Sequence, residues 1–162
     1  MMDVGSNVEP TEIAKKTDVV TVTATDGVAP DWITFSMAAK YSAGGKQNKD
    51  ELIFDEKAGE FEVRFTLVDN STCALAFIPC FKETMWVQIG GNCPPAGPGD
   101  GGGVITPVSW SKNELVVNNS NAFPETLTFM LRFDGKPKNE KNPPFDYDPK
   151  IVNGGNGLVR DS

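Results

Sequence analysis

The chain has 162 residues, enough for one domain that buries about 68–70% of the surface its unfolded form exposes. Its net charge of −7 repels phosphate backbones and anionic lipid, which excludes nucleic acid and membrane surfaces as partners. Histidine is absent, so Ser-His-Asp and Cys-His nucleophile activation, imidazole zinc and copper sites, and the commonest base near neutral pH are excluded too.

The first 17 residues are polar and aperiodic, and read as a loose arm. Alternation starts in "DVVTVTATDG", where Val20, Val22 and Ala24 share one face and Thr21, Thr23 and Thr25 the other. That is the period of a half-buried strand, and Asp26-Gly27 supplies its turn. In "DWITFSMAAKYS" Ile33, Phe35 and Met37 alternate with Thr34 and Ser36 before "SAGGKQNKD" breaks the pattern. The short strand "ELIF" and the clearest one, "EFEVRFTLVDN", are separated by Lys57-Ala58-Gly59, which reads as a hairpin turn.

"CALAFIPCF" is apolar on both faces, as in a strand covered on both sides, with Pro79 marking an edge, bulge or end. "TMWVQIGG" is another short strand. The loop 91–103, "GNCPPAGPGDGGG", is too rich in Gly and Pro for regular structure, and it lacks the Lys-Ser/Thr pair and following helix of a phosphate cradle. Three strands follow in "VITPVSW", "ELVVNN" and "ETLTFMLRFDGK", the last with Leu127, Phe129, Leu131 and Phe133 inward.

These elements predict an all-β fold: a single immunoglobulin-like antiparallel β-sandwich of about seven to nine strands. One-sided apolar strands must bury their faces against each other. The domain is expected over 18–155, between the arm 1–17 and a tail 156–162. No apolar run reaches the roughly 20 residues of a membrane span, and "MMDVGSNVEPTEIAKK" lacks the order of a signal peptide. A soluble, cytoplasmic protein is expected.

Ligand chemistry has few candidates. Cys73, Cys80 and Cys93 contain no C-x-x-C pair, and reduced thiols are the favoured reading over zinc or a disulfide. Hard cations need several loop oxygens, and "FDYDPKIVNGG" places Asp146, Asp148 and Asn153 close in sequence as calcium candidates. It lacks the order of an EF-hand, and the favoured reading makes the two acids a solvated strand edge. Trp32, Trp86, Trp110 and Tyr147 are candidates for a sugar platform, with core or rim packing the favoured alternative. A carboxylate-based hydrolase would need two of the 22 Asp and Glu residues, and nothing local selects a pair.

The stretch "TLTFMLRFDG" followed by Asp148-Pro149-Lys150-Ile151-Val152-Asn153-Gly154-Gly155 resembles the end of small bacterial proteins of unknown function grouped as the DP-EP family. The likeness covers the last third. The sole Glu-Pro pair here is Glu9-Pro10, at the other end of the chain. The resemblance implies an immunoglobulin-like sandwich, with no established activity or catalytic residues.

The sequence thus points to a non-catalytic structural or protein-interaction module without a cofactor. It would meet a protein partner, its own copies included, through an edge strand or the loop 91–103. In "FDYDPKIVNGG", Lys150-Ile151-Val152 is expected as the closing strand, paired with "TLTFMLRF", with Pro149 near its start.

Overall fold

The computed structural model describes residues 16–40, 45–54, 59–90, 95 and 97–155. In chain order the elements are β1 (Lys16–Asp26), β2 (Ile33–Lys40), β3 (Gly45–Asn48), β4 (Glu51–Phe54), β5 (Phe61–Asn70), β6 (Ala76–Phe77), the helical turn α1 (Phe81–Thr84), β7 (Met85–Ile89), β8 (Ile105–Ser111), β9 (Glu114–Asn119), β10 (Glu125–Asp134), β11 (Phe145–Tyr147) and β12 (Lys150–Asn153). They form two mixed sheets. The first runs β2-β1-β5-β9-β8, and the second runs β11-β10-β12-β4-β3, with β6 and β7 on the other side of β10.

Alternation in the sequence becomes the core. Phe61, Val63, Phe65 and Leu67 of β5 are buried with half-buried Glu62, Arg64 and Thr66 between them. Leu127, Phe129, Leu131 and Phe133 are buried on β10, where Thr128 and Met130 between them are buried too. The two sets meet across the sheets. Phe65 lies 5.6 Å from Phe129, Phe54 lies 4.7 Å from Phe61, and Phe35 stacks on Phe133 at 5.3 Å. Burying each such ring contributes about 1.5–3 kcal/mol, and each aromatic pair a further ~0.5–1.5 kcal/mol.

The expected antiparallel pattern is corrected at two places. β1 pairs with β5 in parallel, from Lys16↔Phe61 to Thr25↔Asn70, and β12 pairs with β4 in parallel. Parallel neighbours need a crossover: β2, β3 and β4 lie between β1 and β5 in the chain, and β5 to β11 between β4 and β12. The described residues hold twelve strands rather than seven to nine, and β6 with β7 and β11 with β12 are each one line of pairing on a side of β10, divided by a break.

"ELIF" and "EFEVRF" do not make the expected hairpin. β4 and β5 belong to opposite sheets. Of that turn, 57 and 58 lie outside the described residues. "CALAFIPCF" keeps only Ala76 and Phe77 in a ladder, against β10, and then turns away into α1. Lys16 and Thr17, expected in the arm, belong to β1; residues 1–15 and 156–162 lie outside the described residues.

The C-terminal expectation holds. β11 and β12 keep one register against β10, from Leu131↔Tyr147 to Glu125↔Asn153. Pro149 interrupts the strand only by lacking an N–H, while its carbonyl accepts from Phe129 N at 3.0 Å.

Candidate interaction surface

A sheet edge presents unpaired N–H and C=O groups, so how each edge is closed decides where another chain can attach. The β2 and β3 edges close on each other through one side chain. Gln47 Oε1 accepts from Ala39 N at 2.8 Å and Gln47 Nε2 donates to Met37 O at 2.8 Å, copying a backbone amide. The β7 edge is covered by the Gly/Pro-rich segment: Val87 N donates to Gly99 O at 3.0 Å and Val87 bridges Asp100. So loop 91–103, expected to be irregular, has its described end tied to a strand; 91–94 and 96 lie outside the described residues.

β8 differs. It pairs with β9 on one side, and no described residue pairs with the other. After Ile105 every residue of the strand is exposed, Val108 at 50% and Trp110 at 41%. None of its seven side chains, "ITPVSWS", carries a charge. Two devices blunt this edge against an extended ladder: Pro107 lacks an N–H, and a bulge shifts the register between Pro107 and Ser109. Ile105 N is already bonded to Asp100 O at 3.0 Å.

Beside the start of β8 lies a groove of about 410 Å³. Phe81, Met85, Ile105 and Pro107 line it, together with the exposed charged residues Lys82 and Asp100. Asp100 holds the turn after it by accepting from Gly103 N at 2.9 Å. This groove was not legible in the sequence, because α1 and β8 are brought together only by the packing of the two sheets. An uncharged strand containing a proline was the one local sign of an edge.

The calcium candidates do not converge. Along 145–153 odd-numbered residues are buried, so Asp146 and Asp148 are exposed while Asn153, at 3% exposure, faces the core. Asn153 is corrected as a ligand: its amide is paired with that of Asn119 across the sheets. Asp146 Oδ1 lies 3.4 Å from Arg132 Nε. Although the Asp146 side chain is open to water on its outer side, desolvation on its inner side pushes the carboxyl above its usual range, with the Arg132 guanidinium pulling the other way. Asp148 shares a depression with Asp50, Glu51, Lys49 and Lys150, in which lysines offset the acids. Among the described residues no three His, Cys, Asp or Glu side chains are placed to hold a metal ion.

The aromatic candidates are spread over different elements. Tyr147 is buried, stacks on Phe35 at 5.5 Å, and donates its hydroxyl to Asp50 Oδ1 at 2.6 Å. Trp86 is half-buried beneath Arg132, whose guanidinium carbon lies 4.0 Å from the ring centre and whose charge also pairs with Glu83 at 3.3 Å. Trp32 closes the β1–β2 turn at φ 66°, unusual for a bulky side chain, with its carbonyl accepting from Gly27 N at 2.8 Å. Of the four, Trp110 is the one on the open strand.

Cys73 is a buried free thiol, pushed up in pKa by desolvation, and Cys80 is an exposed free thiol. Cys93 lies outside the described residues. No helix among the described residues is long and apolar enough to cross a membrane.

No family model matches the chain. No curated protein matches it significantly. Among solved structures it is similar to an inclusion body protein, PixA, from Burkholderia cenocepacia J2315, with a TM-score of 0.42 and 10% sequence identity over 90% of this chain and 99% of that one. A likeness this distant carries nothing about activity or partners.

Proposed function

We propose that this chain is a non-catalytic module, structural or protein-binding, that meets protein partners through β8 and the groove beside it. The observation that carries this reading is the open β8 strand, uncharged and exposing Val108 and Trp110. Apolar side chains on an otherwise polar surface are the usual core of a contact patch. Pro107 and the bulge make side chains, more than an extended backbone ladder, the means of attachment.

A non-catalytic role is supported by the lack of histidine and by carboxylates that are dispersed or paired with cations. The free thiols Cys73 and Cys80 suit the reducing interior of a cell. We read the two facing sheets as an immunoglobulin-like sandwich with two parallel departures, and the DP-EP resemblance points the same way.

A photo-crosslinking residue at Val108, with one at Thr34 on the opposite edge strand as control, tests the reading in cells. An adduct with another protein chain is expected at 108. Adducts at 34 but none at 108 would overturn it.

A further inference from the structure

Resting on the reading of β8 as a contact surface, we propose that its occupant is a second copy of this chain, paired two-fold, with the Trp110 of each copy filling the other's groove. The β8–β9 register makes this geometry available. Pro107 lies opposite buried Val117 and Trp110 opposite buried Leu115. Residues directly opposite share a face, so Pro107 and Trp110 both belong to the side of the first sheet that looks toward the second. Three residues apart on a regular strand, they would point to opposite sides; the bulge between Pro107 and Ser109 brings them to the same one.

An antiparallel pairing that sets Pro107 of one copy against the Trp110 of the other carries that indole over the groove walled by Ile105, Pro107, Phe81 and Met85. A groove of about 410 Å³ accommodates an indole. Its lining offers what an indole recognises. Lys82 supplies a cation for the ring face and Asp100 a carboxylate acceptor for the ring N–H.

Local charge pairing across the two-fold, and not net charge, argues for a second copy. Two chains of net charge −7 repel each other over most of their surfaces, but "ITPVSWS" brings no like charges together. A two-fold arrangement also brings exposed Lys112, just beyond the end of β8, toward the Asp100 turn of the other copy. The interface is isologous, so it closes at two copies and does not propagate.

Sedimentation velocity across a wide concentration range tests this. A reversible monomer–dimer equilibrium is expected. Trp110→Ala should raise its dissociation constant about thirtyfold, as for a central tryptophan anchor, while Trp110→Phe retains most of the affinity. Lys82→Glu, which leaves Trp110 intact but replaces the cation offered to its ring, should also weaken the dimer. A dimer indifferent to Trp110→Ala overturns the proposal. A chain that stays monomeric throughout also overturns it, and the Val108 crosslink then separates the two readings. Capture of a different protein at 108 leaves β8 a contact surface, whereas no capture removes both.

Discussion

Asn119 and Asn153 exchange side-chain amide hydrogen bonds inside the core, Asn119 Nδ2 to Asn153 Oδ1 at 2.9 Å and Asn153 Nδ2 to Asn119 Oδ1 at 3.0 Å, joining β9 of one sheet to β12 of the other. Asn119 Oδ1 also accepts from Asn121 N at 3.0 Å, and Asn121 Oδ1 from Gly155 N at 3.1 Å. The two side-chain amides thereby satisfy each other across the sheets. Truncating either amide leaves the other unsatisfied, so Asn119→Ala or Asn153→Ala should each cost about 1–3 kcal/mol. Chemical denaturation of both singles and the double should give a coupling energy of about 0.5–3 kcal/mol. Strict additivity would show that the pair does not act as a unit.

Gln47 should protect against aggregation. Its side chain occupies Ala39 N and Met37 O on the edge of β2. Gln47→Ala exposes both groups, and a modest stability loss of about 1 kcal/mol should accompany a larger rise in light scattering on prolonged incubation. Faster hydrogen exchange at the Ala39 amide would locate the effect.

Asp26 should contribute to acid sensitivity. Lys138 and Thr72 hydrogen-bond its carboxylate and hold its pKa below the usual value. A carboxyl depressed in the folded state adds stability that is present above its unfolded pKa of 3.8 and is lost as pH falls through the lower folded value. Melting curves of Asp26→Asn should therefore lose less stability than the wild type on acidification below about pH 4. Asp146, raised by burial, has the opposite sign: its ionised form costs stability, and the cost disappears as pH falls. Asp146→Asn should leave neutral-pH stability unchanged or slightly higher.

Tyr147 should resist ionisation. Burial first, and then the Asp50 carboxylate that accepts its hydrogen bond, push its pKa far above the normal 10. Of the two tyrosines, spectrophotometric titration should show Tyr147 ionising only when alkali unfolds the protein. Tyr147→Phe should abolish that coincident step and cost about 0.5–1.5 kcal/mol.

Chelation should be silent. Asp146 and Asp148 face outward and Asn153 inward, so they do not share an ion. Addition of EDTA is expected to leave Tm unchanged. A fall of many degrees that calcium reverses would refute this, because a ligand bound only to the native state stabilises it by mass action.

The sequence by itself determined which side of each strand faces inward. Val20, Val22 and Ala24, then Phe61 to Leu67, then Leu127 to Phe133 alternate because a pleated chain sends successive side chains to opposite faces, and water drives the apolar ones together. It also determined the closing strand at Lys150–Asn153, where alternation survives a proline. Tertiary structure alone decided which strands became neighbours, since an apolar face is satisfied by any layer that covers it. The parallel pairings of β1 with β5 and β4 with β12, and the separation of β4 from β5 into opposite sheets, are of that kind. So is the candidate surface: Phe81 and Met85 reach Ile105 and Pro107 through folding, and a bulge invisible to periodicity turns Trp110 to their side. Alternation is a local property of the backbone, whereas pairing and grooves arise from contacts between residues far apart in the chain.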